Sequence, residues 1–175
     1  MNQDPKFPIG KFEPEENYTL VQLKQFIQDI KAFPAQVKSE LFRLGEEGLE
    51  TPYRDGGWTA RQVIHHCADS HFNSFMRFKL ALTEDTPTIK PYHENLWAEQ
   101  IDYSLPVESS LMILEGLHQR WVALLENLES GDLKRTFYHP EMKSEISLER
   151  TIALYSWHCR HHLGHLKLIQ IGKNI

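Results

Sequence analysis

Apolar residues recur at spacings of three and four along four separate stretches of this chain, the period of an amphipathic helix. In the first, from Thr19 to about Leu44, the stripe is Leu20, Leu23, Phe26, Ile27, Ile30, Phe33, Val37, Leu41 and Leu44. Pro34 falls inside it. A proline removes a backbone donor and clashes with the preceding turn, so the pattern predicts a kink or a restart there. The second stretch has the clearest start signal. In GGWTARQV, Thr59 is placed as N-cap, Gln62 completes a capping box, and Trp58 and Val63 occupy the two positions of a hydrophobic staple, predicting a helix to about Leu82. The third runs from Val107 to about Glu129 with Leu111, Leu114, Leu117, His118, Trp121, Leu124, Leu125 and Leu128 on one stripe, and the Ser130–Asp132 signal ends it. Ser147 caps the fourth, Leu148 to about Ile169. Between the second and third helices, Thr83 to Pro106 carries Pro87, Pro91 and Pro106 without a sustained period; so long a connection in a compact domain is usually functional or mobile, and is expected to wall a site. Arg135 to Ser147 reads as a short hairpin or irregular loop around Pro140. Four helices with no strand series and no internal repeat predict an all-α fold, an antiparallel four-helix bundle.

The 175 residues suit a single domain, 1–175, able to bury a core without disulfides. A formal charge of −5, with Lys and Arg spread along the chain, argues against a nucleic-acid partner. Cys67 and Cys159 form no CxxC pair and fit reduced thiols in a cytoplasmic protein. The polar Met1–Phe7 segment and the lack of a long apolar run predict neither a signal peptide nor a membrane span.

Histidines change the picture from architecture to chemistry. Four of the ten fall in WHCRHHLGH: His158, His161, His162 and His165. On a helix, His158 and His162 are stacked one turn apart, and so are His161 and His165; either pair can grip a metal ion. Two imidazoles hold a divalent transition metal only weakly, so a working centre needs a third ligand and an open position. His65, His66 and His71 in VIHHCADSH sit on the well-capped second helix. Against the stripe Ile64, Ala68, Phe75 and Leu82, His71 lies closest to the core, His65 about 100° away and His66 on the far side, so helical spacing alone leaves the third ligand open. His65, His71 and His118 read as core or surface residues.

GGWTARQVIHHCADSH followed far downstream by LYSWHCRHHLGHL resembles the DinB/YfiT-like family through all four helices. The family pattern is a tryptophan at the mouth of the second helix, a histidine eight residues on within an HLAD-like tetrad, and HxxxH in the last helix. Trp58, His66 in HCAD, and His158 with His162 match it. The resemblance implies a three-histidine site of His66, His158 and His162 holding one divalent transition metal per chain, zinc or nickel, in a bundle that often forms a homodimer. His165 stands where many members have glutamine, and His161 or His165 is placed to accept or relay a proton beside the site. Asp69, three residues after His66, is a candidate to orient a ligand imidazole or a bound water. Cys159 points about 100° away from His158 and reads as a packed thiol. Tyr53, Arg54 and Asp55 are placed to meet an anionic group, and Tyr92, His93, Glu94 and Trp97 to line a pocket.

An ion held by three neutral imidazoles keeps its full charge and an open position, which lowers the pKa of a bound water toward neutrality. The resemblance implies a metal-dependent hydrolase acting on a small-molecule substrate. Two alternatives remain open: an S-transferase using a low-molecular-weight thiol such as bacillithiol, mycothiol or glutathione, and a non-catalytic metal-binding stress protein. The HExxH signature of zinc proteases is absent.

Overall fold

The structure, a computed structural model, describes residues 4–170. Four long helices, α1 (Leu20–Leu49), α2 (Ala60–Thr83), α4 (Glu108–Leu125) and α6 (Leu148–Leu168), are joined by two one-turn helices, α3 (Glu94–Trp97) and α5 (Ser130–Leu133), and a hairpin, β1 (Thr136–His139) with β2 (Ser144–Ser147). The start signals act as predicted. Thr19 with Gln22, and Thr59 with Gln62, form full capping boxes, and Ser147 accepts from the Arg150 amide.

Helix α1 does not restart at Pro34. The helix continues through Pro34, and its backbone leaves helical geometry at Gly45 instead (φ 59°, ψ −176°), beyond the predicted end at Leu44. Glycine takes a positive φ without the penalty a Cβ would impose. Pro34 is buried in the bundle, where packing on both sides holds the helix through the missing bond.

The helices form a four-helix bundle, but neighbours in space are not all antiparallel. Lys31 pairs with Glu126 and Lys38 with Glu115, so α1 and α4 run in opposite directions. Ser70 meets Tyr155 while His66 meets His162, so α2 and α6 do as well. In contrast, Asp29 bonds Ser156 and Arg43 reaches the Leu166 carbonyl, which makes α1 and α6 parallel. His65 bonds Ser110, His71 bonds His118 and Phe78 packs on Trp121, which makes α2 and α4 parallel. Parallel neighbours need a connection that travels back along the bundle. That requirement explains the long proline-bearing segment between α2 and α4.

Ile30, Phe33, Phe78, Leu114, Trp121, Leu148 and Ile152 fill the centre with essentially no exposed surface. Three histidines join them. His65, His71 and His118 are buried as the wheel suggested for His71, and Phe33 packs against the rings of both His71 and His118. His65 ties α2 to the start of α4 through Ser110 Oγ (2.7 Å) and the Leu105 carbonyl (3.1 Å). Ahead of α1, the N-terminal segment lies along α6: Trp157 Nε1 donates to the Gly10 carbonyl, and Pro8 packs so tightly on Gly164 that a Cβ there would fall 2.8 Å from its ring. Among the described residues no helix is long and apolar enough to cross a membrane.

Two expectations follow from this core. Because apolar stripes build the bundle, the helical circular-dichroism signal should survive exhaustive chelation; collapse to coil would make the fold metal-dependent. Burial, opposed in part by the Ile30 carbonyl, holds His118 down to about 4 against 6.5 when unfolded, and burial also lowers His65. The unfolded chain then binds protons that the folded one refuses. Stability of the metal-free protein is present above pH 6.5 and should fall as pH drops from 6.5 toward 4, by about 1.4 kcal/mol per pH unit for each proton involved. Urea unfolding across that range measures it, and a flat profile would contradict it.

Candidate metal centre

Where α1 and α6 end and α2 and α4 begin, the imidazoles of α6 meet α2. His66, in the second turn of α2, is held by the capping box below it and by Trp58, whose ring lies 4.8 Å from the imidazole. His66 Nε2 stands 3.3 Å from His158 Nε2. The His162 ring is 4.9 Å from that of His66 and 4.4 Å from that of His158. One nitrogen from each of the three lies within 4.8 Å of the others. Helical stacking accounts for His158 and His162. His66 arrives from the other helix only because α2 and α6 pack antiparallel at this level.

The donor set fits a transition metal. Around an ion with bonds of about 2.0–2.1 Å, the edge of a tetrahedron is about 3.3 Å, which is the His66–His158 separation. Two imidazole nitrogens at that distance can share at most one proton, and a cation between them satisfies both lone pairs. Among the described residues the buried His66 Nδ1 has no hydrogen-bond partner, so no second contact competes with the one its Nε2 makes toward His158. Burial first, then neighbouring imidazoles, brings His66 to about 3 and holds His158 and His162 well below the usual histidine range. All three are neutral at pH 7, the form that ligates.

A second grouping, His161, His162 and His165, also brings three nitrogens within 4.8 Å. Of its members, His162 and His165 are otherwise engaged, while the buried His161 Nδ1 has no hydrogen-bond partner among the described residues. His165 Nδ1 and His162 Nδ1 are 3.3 Å apart, His165 Nε2 is 3.3 Å from the Lys6 carbonyl, and the His161 ring stacks on Trp157. The triad opens onto a cavity of about 490 Å³. Tyr53, Arg54 and Trp58 form one wall, Lys6 and Phe7 a second, and Glu94 with Asn95 closes part of the rim.

Several candidates find other places. Asp69 was expected to orient a ligand, but its Oδ2 accepts from the Tyr103 hydroxyl (2.7 Å), and it does not line the cavity. The turn toward the crossover segment takes it away from the triad. Tyr53 and Arg54 do line the cavity, whereas Asp55 only offers its carbonyl to Arg54 Nη1 (2.7 Å). Of the crossover residues Glu94 reaches the cavity; Tyr92, His93 and Trp97 line a separate hollow. Cys159 is a buried free thiol, as expected of a packed residue. Sequence reasoning missed Lys6 and Phe7, because a polar N-terminal stretch without periodicity gives no sign that it folds back over α6, and it missed Trp157 of α6, which lines the cavity beside them.

Comparison with known proteins agrees with this geometry. The family model for the DinB superfamily matches residues 32–166. A protein of Oceanobacillus iheyensis bearing the name "putative metal-dependent hydrolase" is 49% identical over 161 residues, covering 92% of this chain and 93% of that protein. A protein of the same description from Bacillus cereus is 51% identical over 163 residues, covering 93% and 94%. Among solved structures, YfiT from Bacillus subtilis superposes with a TM-score of 0.90 at 46% identity, over 93% of this chain and 94% of that one, and is described as "a probable metal-dependent hydrolase with an unusual four-helix bundle topology". Sequence, bundle and histidine cluster thus agree, and the chain belongs to the DinB superfamily.

Proposed function

We propose that the protein is a metal-dependent hydrolase of a small molecule, with His66, His158 and His162 as ligands. The observation that carries this reading is the convergence of three neutral imidazoles on one wall of a cavity large enough for a small substrate. Imidazole ligands suit zinc and nickel, and a bound ion of that kind supplies Lewis acidity at neutral pH. The rest of the work falls to the chain. Arg54 and Lys6 offer positive charge at the cavity, suited to an anionic group on the substrate. Trp58 and Tyr53 offer apolar faces for its body. Among the described residues Glu94 is the carboxylate that lines the cavity, and partial desolvation raises its pKa, which suits it to accept and return a proton. The two buried free thiols accord with a reducing, cytoplasmic setting.

Elemental analysis of purified variants tests the ligand set. His158→Ala and His162→Ala should lose the metal equivalent while His161→Ala keeps it; the reverse pattern would move the centre to the other histidine pair. Turnover of activated esters or amides tests the chemistry. Hydrolysis should vanish with His158→Ala, ignore added thiol, and fall about 100-fold in kcat for Glu94→Gln with metal content unchanged. Strict dependence on a small thiol would instead favour the S-transfer reading.

A further inference from the structure

Five buried histidines lie beyond the triad, and three of them form chains that end on the distal nitrogens of the α6 ligands. His158 Nδ1 is 3.0 Å from His71 Nε2, His71 Nδ1 is 2.7 Å from His118 Nε2, and His118 Nδ1 is 2.7 Å from the Ile30 carbonyl. A carbonyl only accepts, so His118 carries its proton on Nδ1. Its Nε2 is then an acceptor, which puts the His71 proton on Nδ1; the same step puts the His158 proton on Nδ1. His158 Nε2 is left with its lone pair, 3.3 Å from His66 Nε2 and 3.4 Å from the Ser70 hydroxyl. Ile30 is free to serve as the anchor because Pro34, four residues on, has no N–H to offer it. A second, shorter chain reaches His162: the Lys6 carbonyl takes the proton of His165 Nε2, and His165 Nδ1 takes that of His162 Nδ1.

We infer that His71, His118 and His165 are positioning residues, which fix the tautomers and ring orientations of His158 and His162 from two backbone carbonyls so that both present Nε2 lone pairs. The inference rests on the ligand reading above. It also gives the grouping of His161, His162 and His165 a role other than a second metal site, since the facing Nδ1 atoms of His162 and His165 are spent on each other. Ligand histidines commonly donate their far N–H to a carbonyl or carboxylate, and loss of such a partner weakens metal binding 10–100-fold. Here two imidazoles stand between His158 and its carbonyl, and one between His162 and its own.

Nitrogen-15 NMR of histidine-labelled, metal-free protein reads the tautomers directly and needs no metal. His71, His118, His158 and His162 should be Nδ1–H, and His165 Nε2–H; an Nε2–H form of His71 or His118 would overturn the longer chain, and an Nδ1–H form of His165 the shorter. Zinc affinity, measured by chelator competition, supplies the second readout. His118→Phe should weaken it about 10–100-fold while keeping one equivalent at saturation. His118→Gln should restore most of it, since its amide can donate to Ile30 and accept from His71. Equal affinities for wild type and a folded His118→Phe would refute the positioning role. The ligand reading fails separately, if His158→Ala binds zinc as wild type does while the tautomers stand as stated.

Discussion

Pro34 removes the N–H that would bond the Ile30 carbonyl within α1, and a carbonyl this deep in a core cannot go without a donor at small cost. His118 supplies it, and the requirement passes along to His71 and His158. The resulting chain takes one residue from each long helix: Ile30 from α1, His118 from α4, His71 from α2 and His158 from α6. Polar networks of this kind are strong when every member is satisfied and costly when one is missing. The chain therefore sets the relative positions of all four helices at the level of the metal centre. A helix-breaking residue thus supplies a hydrogen-bond anchor.

Topology is what allows such a chain to exist. His118 meets His71 because α2 and α4 run parallel and stay in step over several turns, and His71 meets His158 because α6 runs the other way beside α2. The long crossover between α2 and α4 permits that arrangement, and on its way it places Glu94 at the cavity. The N-terminal segment completes the enclosure from the opposite side. Gly164 lets Pro8 close on α6, which brings the Lys6 carbonyl to His165 and the side chains of Lys6 and Phe7 to the cavity wall.

Burial of so many imidazoles has an energetic consequence. Charged histidines would be intolerable in this interior, and desolvation keeps them neutral. Neutral imidazoles are both metal ligands and paired donor–acceptors, so the same burial that makes the site ready for a cation also makes the hydrogen-bonded chains directional. Two rings stand outside these chains: the Nδ1 atoms of His66 and His161 meet no partner among the described residues, and the rings pack on Trp58 and Trp157 instead.

Helix number, helix starts, the hairpin and the stacked histidine pairs were legible in the sequence because each depends on residues a few positions apart: caps, staples and three-to-four periodicity are local. Family resemblance singled out His66 where the helical wheel could not, since the wheel reports which face is apolar and not which face meets α6. Three matters were decided only by tertiary structure. At Pro34 local rules see a lost bond and predict a kink or a restart, whereas the helix continues through it and a histidine from another helix takes up the freed carbonyl. Asp69 looked suited to orient His66 from one turn away, but Tyr103, 34 positions along the chain, claims its carboxylate. Parallel pairing of α2 with α4, and the return of the N-terminal segment over α6, join residues far apart in the chain, and no period or cap in one sequence records which distant surfaces will meet.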